Sequence, residues 1–194
     1  MARSSPSAAA STRDEEPRDE KPRDEEPRDE KTCDEKTCDE ELAMTDALLA
    51  ALLDREAVGD TLYQFAEALD LRDWALYRSV FTDEIEIDYS SYRPGSRGVM
   101  RAEDWVARGR ARIEPLDATQ HSMSNPRVTV TGDTATCAMY IEAQHVLTRD
   151  GVTARYLIGG RYVDRLVRVG GEWKISAVTL QVRWNLGDRT VVGL

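Results

Sequence analysis

The chain has 194 residues, 36 acidic against 26 basic, with 41% hydrophobic residues and a formal charge of −10. This is one ordinary domain with length to spare, and no apolar run approaches the roughly eighteen residues of a membrane span. The charge argues against a nucleic-acid binder, and two histidines with three cysteines lacking any CxxC pair argue against a structural zinc site.

The charge is unevenly spread. The first 41 residues hold fifteen of the 36 acids and eight of the 26 bases, leaving a net of only −3 for the rest. From Arg13 the chain repeats every five residues as RDEEP, RDEKP, RDEEP, RDEKT and CDEKT, then a truncated CDEE. Apart from Cys33 and Cys38 this stretch has no apolar side chain to bury, so nothing repays the entropy of ordering it. Pro17, Pro22 and Pro27 oppose a helix, and a five-residue period forms no continuous helical stripe. Residues 1–44 therefore read as a disordered acidic tail, and residues 45–194 as the folded domain. Met44 is an alternative start of translation. With no apolar secretory core after the Ser- and Ala-rich opening, a cytoplasmic location is expected.

In chain order, Leu48, Leu49, Leu52 and Leu53, then Val58, Leu62, Phe65 and Leu69, recur at helical spacing, with a break expected near Asp54. Asp73 caps a second short helix carrying Trp74, Tyr77 and Phe81. Residues 84–89 alternate strictly, with Ile85, Ile87 and Tyr89 on one side, as a half-buried strand does. A loop through Pro94, Gly95 and Gly98 leads to a third helix over residues 102–113. Four strands follow, over residues 127–130, 134–148, 152–169 and 173–184, divided by Gly-containing turns of which Asp150-Gly151 is the strongest hairpin signal. The fold class is α+β, with helices against one face of a curved antiparallel sheet, and Gly159-Gly160 marks a bulge or bend.

Parity places Cys137, Met139, Ile141, Ala143 and His145 on one face, and Ile158, Gly160, Tyr162, Asp164 and Leu166 on another. Polar groups in such apolar rows are costly unless paired, so His145, Tyr162 and Asp164 are candidates for a pocket lining. His145 serves equally well as a satisfied structural histidine. Trp74, Trp105 and Trp173 read as core, and Trp184 as a candidate for the cavity mouth.

The segments AEALDLRDW, FTDEIEIDYSSY, TQHSMSN and IGGRYVDRLVRVGGEWKI, in this order, resemble the SnoaL-like family of the nuclear transport factor 2-like superfamily and, within it, the scytalone dehydratases. The resemblance covers roughly residues 54–184. It implies a cone-shaped sheet wrapped around about three helices, no metal or organic cofactor, a small-molecule substrate and a dimer or trimer. It also implies an Asp70–His121 acid–base pair, Tyr89 as a carbonyl-polarising or water-holding group, and His145, Tyr162 and Asp164 as substrate contacts. Where those dehydratases carry a second tyrosine this chain has Leu69, which argues against scytalone itself as substrate.

The residue types carry that chemistry on their own terms. A histidine can take a proton and return it within one turnover, and a carboxylate on one ring nitrogen fixes the tautomer of the other. A tyrosine hydroxyl stabilises negative charge developing on a carbonyl oxygen. Loss of a β-hydroxyl as water makes this a dehydratase acting on a small hydrophobic carbonyl compound of polyketide, terpenoid or steroid type. Reprotonation elsewhere makes it an isomerase, and internal attack a cyclase. A non-catalytic binding or small-subunit module is the reading from a different class.

Overall fold

The computed structural model describes residues 35–193, so residues 1–34 of the expected tail, Cys33 among them, lie outside the described residues. Helix α1 spans Glu35–Leu71. It takes in residues 35–44, assigned above to the tail. The last proline of the repeat is Pro27, and nothing after it blocks helical hydrogen bonding. Cys38 is exposed on this helix. Nor does α1 break at Asp54, whose carboxylate is held by the Arg168 guanidinium at 2.8 Å. Only the second half of α1 reaches the core, through Val58, Leu62, Phe65 and Leu69. Leu48, Leu49, Leu52 and Leu53 all stay more than half exposed.

The remaining elements are α2 (Trp74–Ser79), β1 (Phe81–Asp88), β2 (Arg97–Arg101), α3 (Ala102–Ile113), β3 (Ala118–Thr131), β4 (Thr134–Arg149), β5 (Val152–Val169), β6 (Glu172–Gly187) and a short 3-10 turn at Arg189–Val192. Asp73 caps α2 as expected, accepting from the Leu76 N–H at 2.9 Å. Phe81, expected on that helix, opens β1 instead. The six strands form one open sheet in the order β2-β1-β6-β5-β4-β3. Every neighbouring pair is antiparallel except β1 and β6, which run parallel, so the sheet is mixed rather than wholly antiparallel. The α+β cone is otherwise as the sequence implies.

Two strands differ from expectation. Strand β2 forms where a loop was expected, because residues 97–101 pair with β1 from Asp88 to Glu84. Strand β3 begins at Ala118 rather than near Arg127, so His121 sits on a strand. The Asn125-Pro126 step, a turn signal by composition, is absorbed as a register shift between Ser124 and Arg127, with Asn125 at φ 56°. An asparagine tolerates this left-handed conformation better than most residues.

The inward face of β4 is the predicted row: Cys137, Met139, Ile141, Ala143 and His145 are buried, as are Ile158, Tyr162, Asp164 and Leu166 on β5. The register of β5 against β6 shifts between Gly159 and Gly160. A side chain at Gly159 would collide with the Trp184 indole, and one at Gly160 with the Gln181 carbonyl. Both glycines are therefore required where β6 crosses closest. The Asp150-Gly151 hairpin has φ 51° and 77°, as a two-residue primed turn needs.

Candidate active site

The end of α1 sets the position of Asp70. Arg72 adopts φ 59°, the Asp73 N–H bonds back to the Ala68 carbonyl at 2.9 Å, and the Arg72 N–H to that of Leu69 at 3.3 Å. This is the Schellman arrangement that stops a helix. The Arg72 guanidinium then donates to the Asp70 carbonyl at 3.2 Å and the Leu116 carbonyl at 2.7 Å, fastening the helix end to the approach to β3.

A carboxylate at a helix C-terminus meets the negative end of the dipole and needs compensation. Asp70 has three donors. Oδ1 accepts from the Thr119 hydroxyl at 2.9 Å and faces His121 Nδ1 at 2.7 Å, while Oδ2 accepts the His121 backbone N–H at 2.7 Å. Burial pushes the carboxyl up, but the hydrogen bonds and charge of His121, with the Thr119 hydroxyl, outweigh it and hold Asp70 below the usual carboxylate range. The His121 side chain is only 7% exposed. Because the ionised carboxylate can only accept, Nδ1 carries the proton. Nε2 is left as the basic nitrogen, with no hydrogen-bond partner among the described residues.

His121 lines a cavity of about 680 Å³. Its apolar walls include Leu69, Ile87, Met100, Ile141, Ile158 and Leu180, and it also takes in Tyr89, Trp105, His145 and Tyr162. The hydroxyls of Tyr89 and Tyr162 lie 3.0 Å apart. Burial, above all, raises both phenols far beyond their usual range, so they remain neutral donors. His145 donates from Nδ1 to the Tyr156 carbonyl at 3.2 Å, and its ring stands edge-on to that of His121 with centroids 5.7 Å apart. Burial, and then the charge of His121, lower its pKa to about 4, so it is a neutral imidazole at neutral pH.

Of the seven residues singled out from sequence, the fold brings His121, Tyr89, His145 and Tyr162 onto this cavity, with Asp70 directly behind His121. Asp164 and Trp184 are not on its lining. Asp164 shares the face of Tyr162, but one strand repeat further on it lies across from Cys137, under the core. Its Oδ1 accepts the Thr179 N–H at 3.2 Å, and its buried Oδ2 has no partner among the described residues. Burial pushes this carboxyl well up, so it holds its proton. Trp184 lies opposite Gly159 and is half-exposed.

The cavity also holds residues that the sequence reading missed. Trp105, read as core, lines it together with Arg108, Gly109, Arg112 and Ile113. Their spacing of three and four marks a single helical face, a signal that was available in the sequence. Thr119, which holds Asp70 from behind the cavity, shares the parity of His121, but no local signal marks that part of the strand. Among the described residues no three His, Cys, Asp or Glu side chains converge as a metal site, and no helix is long and apolar enough to cross a membrane.

With this geometry in place, comparison with known proteins gives the family. Residues 50–179 match the model of the SnoaL-like domain. The terrestric acid biosynthesis cluster protein E of Penicillium crustosum is 31% identical over 158 residues, 78% of this chain and 97% of that protein. Scytalone dehydratase of Colletotrichum orbiculare is 24% identical, over 66% of this chain and 72% of its own. Among solved structures, the Kfla4162 protein from Kribbella flavida superposes with a TM-score of 0.69 at 28% identity, covering 74% of this chain and 99% of that one. The chain belongs to the SnoaL-like family, within which scytalone dehydratases are among its relatives.

Proposed function

We propose that this protein is a lyase of dehydratase type, acting without a cofactor on a small, largely apolar β-hydroxy carbonyl compound. The observation that carries the proposal is the Asp70–His121 pair: one ring nitrogen is fixed on a carboxylate, and the other is free at an apolar cavity. The relation to scytalone dehydratase supports elimination of water as the reaction.

In this mechanism His121 Nε2 removes the proton on the carbon beside the carbonyl. The C–H electron pair moves into the enolate, whose oxygen accepts from the Tyr89–Tyr162 hydroxyl pair. The pair then re-forms the carbonyl and makes the α,β double bond as the β-carbon–oxygen bond breaks. The leaving hydroxyl takes the proton from the His121 imidazolium and departs as water, returning the imidazole to its starting state. Asp70 stabilises the imidazolium throughout without itself taking the proton. His145, neutral with Nδ1 already engaged, can accept a substrate hydroxyl through Nε2.

The reading includes a cytoplasmic protein with no membrane or nucleic-acid partner, assembled as a dimer or trimer. The exposed Leu48, Leu49, Leu52 and Leu53 support assembly; light scattering that finds a monomer at micromolar concentration would count against it.

The chemistry is tested by incubating the full chain with a panel of cyclic and aromatic β-hydroxy ketones. The readouts are ultraviolet absorbance of the conjugated product and the mass loss of one water. Wild-type protein should form enone from at least one member, and His121→Ala should not. Double-bond migration without loss of water would assign an isomerase, whereas binding without any proton exchange in heavy water would assign a carrier module.

A further inference from the structure

The cavity rim carries a charge pattern that the acid–base mechanism does not use. Four arginines line it: Arg93 and Arg97 from the turn after β1 and the start of β2, and Arg108 and Arg112 from α3. Among the described residues no aspartate, glutamate or lysine shares the lining, although the chain as a whole has 36 acids to 26 bases. All four are exposed, whereas Tyr162, His145 and Ile158 are buried, so the guanidinium groups stand at the entrance and the apolar walls lie behind them.

Most of these cations are free. Arg97 has Glu86 at 3.5 Å and Asp88 at 3.8 Å. Arg93, Arg108 and Arg112 have no carboxylate partner among the described residues, while Arg110, pointing elsewhere on the same helix, is paired with Glu114. The turn bearing Arg93 is held in place. Ser91 donates to the Leu180 carbonyl at 2.6 Å and accepts the Val182 N–H at 3.0 Å, pinning the turn to β6. The C-terminal Arg189 adds a fifth guanidinium beside this turn, reaching the Tyr92 carbonyl at 3.4 Å. Unpaired guanidinium groups converging on a cleft with low-dielectric walls concentrate field lines and attract anions. Their planar forks also suit carboxylate and phosphate oxygens.

We propose that the natural substrate is amphipathic: an apolar carbonyl-bearing body that enters the cavity, with an anionic group, carboxylate or phosphate, held at the rim by Arg108 and Arg112 with Arg93. This rests on the catalytic reading only for the placing of the substrate in the cavity, and it makes these arginines specificity-determining residues.

The test measures binding alone, by calorimetry on the full chain, with 2-naphthoate, its methyl ester and 2-naphthyl phosphate as probes. The acid or the phosphate should bind at least about tenfold tighter than the neutral ester, the advantage of a charge-assisted hydrogen bond. Whichever anion binds tighter identifies the head group. The preference should fall to near unity in the Arg108→Gln/Arg112→Gln double variant, weaken with added salt, and survive in Arg110→Gln. It should also survive in His121→Ala, so that failure of the catalytic reading leaves this result standing. Equal binding of ester and anions, or an anion preference undiminished in the double variant, overturns the proposal.

Discussion

His121 and His145 lie side by side on the paired strands β3 and β4 with their rings nearly perpendicular, at 85° and 5.7 Å between centroids, yet their surroundings differ. The Nδ1 of His121 rests on a carboxylate, whereas that of His145 rests on a backbone carbonyl in a buried site. Burial, and then the charge of His121, disfavour the His145 imidazolium, so that ring stays neutral near pH 7.

His121→Ala and Asp70→Asn should each lower kcat by about 10²- to 10⁴-fold, the range of a lost general acid–base group. The Asp70→Asn variant retains an acceptor for the His121 backbone N–H, so its far-ultraviolet circular dichroism should match wild type. A His121→Ala variant with full activity and native dichroism would remove His121 from the mechanism.

His145 should give stability an acid-side pH dependence. Its folded pKa of about 4 lies below the usual 6.5. Its contribution is therefore fully present above pH 6.5 and lost as pH falls through 4, because the unfolded chain binds the proton first. Thermal melts between those limits should show wild type losing Tm faster than His145→Gln. Parallel Tm curves would rule this out.

Asp164 has the opposite sign. With its folded pKa raised, the folded state keeps a proton that the unfolded chain releases near pH 4, so the stability it contributes declines as pH rises. Asp164→Asn should be close to neutral at pH 3.5 and increasingly stabilising as pH rises above 4. It should leave activity unchanged, since the side chain is not on the cavity. Differential scanning calorimetry across that range decides.

Gly159 and Trp184 make a steric pair. Gly159→Ala should destabilise by about 1–3 kcal/mol, as overpacking does, because the new methyl would collide with the indole. Adding Trp184→Ala should recover part of the loss. Urea titration of the two single variants and the double variant measures the coupling, and strict additivity would show that the ring simply moves aside.

Local periodicity carried most of the architecture into the sequence. The inward row of β4 and the bend at Gly159-Gly160 follow from alternation and glycine placement. What local signals could not carry were pairings made across the chain. Strand β2 is too short and too polar to announce itself, and it exists because β1 lies beside it. His121 belongs to a strand because β4 pairs with it through residue 118, overriding the turn signal at Asn125-Pro126. Asp164 misled for a related reason: parity gives the face of a strand but not the depth along it, and here depth separates cavity from core. The arginine rim was hidden because α3 reads as an ordinary amphipathic helix until the cavity beneath it is known.

Asp70 has one more consequence. Among the described residues strand β3 has β4 as its only sheet neighbour, and the His121 backbone N–H, unused in that pairing, ends on Asp70 Oδ2. A free strand edge is where a foreign chain can add itself to a sheet. The carboxylate that orients the imidazole thus also blocks one rung of that edge. Under the proposed mechanism, solubility and turnover both depend on this one side chain, and Asp70→Ala should raise the tendency to aggregate, measured by light scattering, together with the loss of activity.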